Sequence, residues 1–184
     1  MENNNNKKSS VFYSYCLNPE VNFDTQAEGE KTFLLLRSHP FTQLGWILNS
    51  IFSFILVYVI NFFIRNLFSF GQIFILNCFS YAFVFGYIWF NFLSWYFNVG
   101  IVTNKRVVDI DLHAVIYKEI SDAQLGKIED ITVKSGGYLQ SFFDYGSIFI
   151  QTAGATVNIE FNNVPHPSDA VQIINKLISK KHGT

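Results

Sequence analysis

The chain has 184 residues, of which 49% are hydrophobic, 18% aromatic and only 15% charged, and its net charge is −1. So apolar a composition is unusual for a soluble protein, and the near balance of charges gives no electrostatic basis for binding nucleic acid. The two cysteines, Cys16 and Cys78, lie in separate regions of the chain, so neither a disulfide framework nor a cysteine metal site is expected.

The N-terminal part divides into a tail and a lead into the apolar region. Residues 1–22 begin with a low-complexity run of four asparagines and are predicted to be a mostly disordered tail. No cleavable signal sequence is expected, because the first apolar patch is too short. Residues 23–40 form the juxtamembrane lead. Within it, residues 34–36 fit either a short strand or an interfacial turn, and the pattern does not decide between them.

Residues 41–97 are almost entirely apolar, and Arg65 is their only charged residue. A helix needs about 20 apolar residues to cross a bilayer core, so we predict a transmembrane hairpin with helices at about 42–64 and 72–97. The alternative is an apolar helical core of a soluble protein. It is disfavoured because residues 66–104 carry no charge that could form a solvent face.

The basic residues around the hairpin predict its orientation. Lys31 and Arg37 precede the first helix and Lys105 and Arg106 follow the second, whereas the loop contains only Arg65. The positive-inside rule therefore predicts a multi-pass protein of the cytoplasmic membrane with both termini in the cytoplasm.

Polar residues within the two helices recur at steps of three and four, which places them along one side of each helix. In lipid, such side chains supply helix association, and Asn49 and Asn91 lie at similar depth as candidates to pair. No acidic residue or histidine lies between residues 41 and 97, which argues against a transport or proton pathway. The predicted intramembrane seam consists of Asn49, Ser53, Asn61, Asn77, Ser80 and Asn91.

After residue 97 the hydrophobic period changes from that of a helix to that of strands. Several short alternating runs follow, and residues 167–181 then form an amphipathic pattern with a proline in the first turn. This order indicates an α+β protein. We expect residues 98–184 to form an antiparallel β-barrel or bent sandwich plugged by the C-terminal helix.

Five segments carry a family resemblance. Residues 101–109, 137–139, 145–154 and 159–165, with the lead at 26–30, resemble bacterial pleckstrin-homology (PH) domain membrane proteins of the YdbS-like type, and the match spans residues 23–178. The resemblance implies a PH-like domain with a C-terminal capping helix, tethered under the membrane. It implies no enzymatic activity.

Two groups of residues are candidates for contacts. Lys105 and Arg106 form the basic turn where related domains bind headgroups, but Asp109 and Asp111 follow, so weak attraction to anionic lipid is expected rather than specific phosphoinositide binding. The simpler interpretation is that both residues obey the positive-inside rule.

A glycine-rich connection carries an aromatic cluster of Tyr138, Phe142, Phe143 and Tyr145. Core packing is the ordinary interpretation of such a cluster. The alternative is an exposed loop that enters the bilayer or contacts a partner.

No residues form a pattern typical of catalysis. The four histidines lack metal-ligand spacing, and no carboxylate pair is placed as acid and base, so no metal, cofactor or enzyme activity is expected. We therefore predict a membrane-anchored cytoplasmic PH-like domain that acts as a non-catalytic scaffold or interaction module. Its partners are the bilayer and either a second copy or an unknown membrane protein. The alternative is an accessory subunit of an envelope transport or stress-response complex.

Overall fold

The computed structural model describes residues 13–19, 21–23, 25–113, 117–153 and 158–182. Within these ranges the chain forms a long helical pair and two antiparallel sheets. Short 3-10 turns at Pro40–Gln43 and Leu125–Lys127 connect some of the elements. In chain order the elements are β1 (Tyr15–Leu17), β2 (Thr32–Leu36), α1 (Leu44–Ile64), α2 (Phe70–Phe97), β3 (Val99–Thr103), β4 (Arg106–His113), β5 (Tyr117–Gln124), β6 (Ile128–Lys134), α3 (Tyr138–Phe142), β7 (Tyr145–Thr152), β8 (Ile159–Pro165) and α4 (Pro167–His182).

Helices α1 and α2 pack against each other, and most of their large apolar side chains are exposed. They contain 21 and 28 residues, long and apolar enough to cross a membrane. All of their residues are described, and among them only Ser50 and Val84 are buried. The helices therefore do not form the core of a globule. Their observed bounds lie close to the predicted 42–64 and 72–97, and α2 begins in a capping box formed by Ser69 and Gln72.

The five-stranded sheet has the order β1-β2-β3-β4-β5. Strands that precede the helical pair in the chain therefore lie beside strands that follow it. Strand β2 pairs directly with β3, placing Leu34 opposite Val102 and Leu36 opposite Gly100. Residues 34–36 are thus a strand, which the sequence pattern left open. The predicted PH-like domain began at residue 98. In the structure it also includes β1 from the predicted tail and β2 from the predicted lead, because both strands belong to the sheet that contains β3. Residues 1–12 of the predicted tail lie outside the described residues.

Strands β6, β7 and β8 form a second sheet, and the core lies between the two sheets and α4. The sheets remain separate in the described residues, so the arrangement is the sandwich form of the prediction and not a closed barrel. Helix α4 covers one end of the core with Ala170 and Ile174, both fully buried, and it matches the predicted helix at 167–181. The other buried core residues are Leu34, Leu36, Val102, Val107, Ala123, Leu125, Ile148, Ile150, Ile159, Phe161 and Val164.

Gly100 of β3 lies directly against the ring of Phe161 on β8. A Cβ atom built on Gly100 would lie 2.5 Å from Cε1 of Phe161, whose ring is itself buried. The first sheet can approach β8 at this point because residue 100 has no side chain.

We expect Gly100→Ala to lower the free energy of unfolding by about 1–3 kcal/mol, since the buried ring has little room to move. Gly136→Ala is the matched control, because a Cβ there meets nothing within 4 Å. Urea unfolding in detergent micelles, followed by circular dichroism, measures both variants. Equal stability of the two would contradict the close approach of the sheets.

Candidate functional site

The β3–β4 turn contains the two basic residues predicted to contact headgroups, and Arg106 is held by an internal ion pair. Its Nε lies 3.1 Å from Oε1 of Glu30, and its Nη1 lies 3.1 Å from Oδ2 of Asp122. Its Nη2 also donates to the carbonyl of Thr25. The guanidinium thus joins the segment before β2 to β4 and β5, which is a structural role.

The Glu30 side chain is fully buried within this arrangement. It accepts hydrogen bonds from the Thr103 hydroxyl (2.7 Å) and the Ala27 N–H (2.8 Å) in addition to those from Arg106. Burial raises the pKa of Glu30, but the hydrogen bonds from Arg106, Ala27 and Thr103 outweigh it, and the pKa lies below its usual value. The carboxylate is therefore ionised at neutral pH and fixes the chain before β2.

Lys105 is exposed, and its Nζ donates to the carbonyl of Glu28 at 2.8 Å. The turn lies beyond the five residues of β3, so it is about 15 Å from the end of α2. We call the end of the sandwich that meets α1 and α2 the helix-proximal end, and the end with Lys105 the distal end. This placement argues against a headgroup contact beside the helical pair.

The predicted aromatic cluster divides into two halves. Tyr145 is 8% exposed and stacks on His39, with ring centroids 5.3 Å apart. Phe143 stacks on Phe41 with centroids 4.0 Å apart. These two rings attach the start of β7 to the 3-10 turn before α1. Core packing therefore accounts for this half of the cluster.

The other half of the cluster is exposed on the short helix α3. Tyr138 is 97% exposed and Phe142 is 81% exposed, and Leu139 beside them is 57% exposed. Ordinary surfaces rarely leave large apolar side chains together in this way. These residues fit the loop alternative of the sequence prediction.

One asparagine pair links the two long helices. Asn61 Nδ2 donates to Asn77 Oδ1 at 2.6 Å, and Asn77 Nδ2 donates back to Asn61 Oδ1 at 2.9 Å. The candidate pair of Asn49 and Asn91 is wrong, because Asn49 is exposed and Asn91 donates to the Tyr87 carbonyl of its own helix. Depth alone does not decide which residues face each other.

Of the two seam serines, Ser53 donates to the Asn49 carbonyl at 2.8 Å, and Ser80 is half-buried.

The outer face of the five-stranded sheet contains a cavity of about 560 Å³ beside the end of α2. Strand alternation turns Leu35, Ile101 and Ile110 away from the core. Leu35 and Ile101 are nevertheless buried, and Ile110 is half-buried. Arg37 lies at this cavity and packs over the Tyr96 ring at 4.7 Å. The lining is Val21, Asn22, Phe23, Leu35, Arg37, Tyr96, Phe97, Val99, Ile101, Ile110, Leu112 and Lys118.

An acidic group lies between the sheets at the helix-proximal end. Asp109, Asp111 and Glu160 line a small cavity of about 100 Å³. Burial, together with the charges of Asp111, Glu119 and Glu160, raises the pKa of Asp109 to about 7, although a backbone hydrogen bond acts in the opposite direction. The alternation in residues 107–112, with aspartates at the inward positions, was the sequence signal for this site.

Metal binding finds no support in the part of the chain that the structure describes. Within it, no three His, Cys, Asp or Glu residues come together in a group that could hold an ion.

The family model for the bacterial PH domain matches residues 43–178, more than half of the chain. The chain belongs to the bacterial PH domain family. The match covers both long helices, the strands from β3 onward and most of α4. The expected family resemblance is thereby confirmed at the level of the bacterial PH domain.

A solved structure from Shewanella loihica, a DUF1696 family protein with a pleckstrin-homology domain, is also similar to this chain. Its identity is 20%, it covers 45% of this chain and 68% of its own, and the TM-score is 0.34. No curated protein sequence matches the chain.

We expect Glu30→Gln to lower the free energy of unfolding by about 3 kcal/mol, because it leaves Arg106 without its buried counter-charge. Asp122→Asn is the matched control on the same guanidinium. Its carboxylate side chain is 47% exposed, so a loss below about 1 kcal/mol is expected. Urea unfolding in micelles measures both. A larger loss for Asp122→Asn would contradict the assigned role of Glu30.

The raised pKa of Asp109 predicts that the stability of the fold depends on pH. Its folded pKa is raised to about 7, so the folded state holds a proton that the unfolded state releases, and stability falls as pH rises from about 4 to 7. We expect Asp109→Asn to remove that fall and to be more stable than wild type at pH 8 by about 1–3 kcal/mol.

The control for this pH dependence is Glu129→Gln, which neutralises an exposed carboxylate on β6. It should leave the unfolding profile across pH unchanged. An unchanged profile for Asp109→Asn as well would show that the raised pKa does not affect folding.

Proposed function

We propose that this protein is a membrane-anchored, non-catalytic interaction module whose PH domain lies against the cytoplasmic face of the membrane. The observation that carries the proposal is the insertion of α1 and α2 between the paired strands β2 and β3. Both helices leave from one end of the sandwich, and their apolar side chains are exposed along their lengths. Lipid is the solvent that such surfaces require.

The coupling between helices and domain supports a fixed orientation. Trp95 Nε1 donates to the Ser38 carbonyl at 2.9 Å, and β3 begins two residues after α2 ends. No long linker intervenes in which the domain would rotate freely. The distal end of the sandwich is consequently presented to the cytoplasm, where a partner has access to it.

The basic residues near the helices support the same orientation of the domain. The turn with Lys105 lies about 15 Å from the end of α2, farther than the Debye length of about 8 Å at physiological salt. Its attraction to headgroups beside the hairpin would be largely screened, so headgroup binding is not part of this proposal. Lys31, Arg37, Lys105 and Arg106 instead contribute to the positive-inside bias that holds the domain in the cytoplasm.

The proposed partner is a second copy of the chain or another membrane protein. The subunit composition of the complex purified in mild detergent, determined by mass spectrometry, separates the two roles. A homo-oligomer favours the scaffold, whereas a stoichiometric foreign subunit favours an accessory role in an envelope complex. We also propose that the chain is of the YdbS-like type within the bacterial PH domain family.

Topology is tested by labelling single cysteines in whole cells, with Cys16 and Cys78 replaced by serine. A membrane-impermeant maleimide should label Asn66→Cys, in the α1–α2 connection, and should not label Lys181→Cys on α4, which is shielded in the cytoplasm. Permeabilised cells are the control, and there both positions should react. The reverse labelling in intact cells, or release of the protein by carbonate, would overturn the proposal.

A further inference from the structure

The connection between β6 and β7 presents an apolar tip. It is formed by helix α3, whose five residues make little more than one turn. Positions 138, 139 and 142 lie on one side of that turn. The three side chains are Tyr138, Leu139 and Phe142, and each has more than half of its surface exposed.

Aromatic contacts place the tip at the level where α1 begins. Phe142 packs edge-on against Phe143, with ring centroids 5.0 Å apart, and Phe143 stacks on Phe41. Phe41 belongs to the 3-10 turn that leads directly into α1. The exposed tip therefore lies beside the point where the hairpin leaves the domain.

The tip is also held in a defined conformation. The Phe143 N–H donates to the Leu139 carbonyl at 3.0 Å and closes the helix. The Gln140 side-chain oxygen accepts from the Gly136 N–H on the side away from the exposed residues. Gly137 precedes the helix with φ of 93°, a conformation that glycine adopts without strain. Little ordering is thus needed when the tip meets a surface.

We propose that α3 inserts Tyr138, Leu139 and Phe142 into the headgroup layer of the bilayer that holds α1 and α2. This inference rests on the proposed function. A bilayer is the occupant that the position favours, because its surface continues from the helical pair past Phe41 to the tip. Aromatic side chains also concentrate at the membrane–water interface, where a phenol places its ring in an apolar layer and its hydroxyl in water.

The consequence is a third attachment point. Two adjacent helices alone let a domain tilt about the line that joins them. An inserted α3 adds a third contact with the bilayer, restricts this tilt and therefore restricts which surfaces of the sandwich face the cytoplasm.

The test uses the full chain in phosphatidylcholine vesicles containing one quarter phosphatidylglycerol, with Cys16 and Cys78 replaced by serine. An environment-sensitive fluorophore is attached to Phe142→Cys, to Lys127→Cys at the distal end, or to Phe83→Cys in the middle of α2. Lipids carrying a nitroxide near the headgroups, and others carrying it deep in the acyl chains, measure depth. Interfacial insertion of about 5–10 Å predicts about a twofold loss of emission at position 142 with the shallow nitroxide.

The controls separate this inference from the proposed function. Position 83 should be quenched by the deep nitroxide, and position 127 by neither. If position 83 is quenched and position 142 is not, the insertion of α3 is wrong and the anchor stands. If position 83 is not quenched, the anchor itself is wrong. An apolar emission at position 142 without nitroxide quenching would mean that protein covers the tip, and would also overturn the inference.

A second variant excludes insertion driven by the fluorophore alone. Tyr138→Ser combined with Leu139→Ser removes two exposed apolar side chains and should leave the fold unchanged. With the fluorophore at position 142, this variant should lose about half of the shallow quenching, because less apolar surface enters the interface. Undiminished quenching would overturn the role of the native side chains.

Discussion

The pairing of β2 with β3 is the constraint on which the rest of the structure depends. These strands are neighbours in the sheet, yet the whole helical pair lies between them in the chain. The ion pair of Glu30 with Arg106 reinforces the pairing from the distal end. Because each strand continues almost directly into a long helix, the domain and the helices form one connected unit and are not joined by a flexible tether.

This connection gives the sandwich two unlike ends. The helix-proximal end contains the stacked rings of His39 and Tyr145, the acidic group around Asp109 and the exposed tip of α3. The distal end contains Lys105 and the buried Glu30. The resemblance to PH domains made the basic β3–β4 turn the expected place for headgroup binding. In this chain that turn serves the fold, since Arg106 joins three segments of the same domain.

Local hydrophobic patterns in the sequence predicted the helices correctly. The apolar runs placed α1 and α2, and the amphipathic period placed α4 within a residue of its observed end. The sequence did not show that residues 34–36 pair with β3, because three leucines fit several structures and strand pairing across a long insertion has no local signal. The ion pair between residues 76 positions apart was hidden for the same reason. Likewise, depth alone could not place Asn61 against Asn77, since rotation about each helix axis decides which residues meet.

The insertion of the helices within the sheet also orders the assembly of the protein. Strand β2 leaves the ribosome early, but its partner does not exist until α1 and α2 have been synthesised. Such a distant pairing is slow to form, and until it forms β2 presents an unpaired edge and apolar side chains to the surroundings. The sandwich is therefore completed only after both helices have emerged. A sheet in which β2 is paired with β3 implies that the helical pair has already been synthesised and that its two ends lie next to each other.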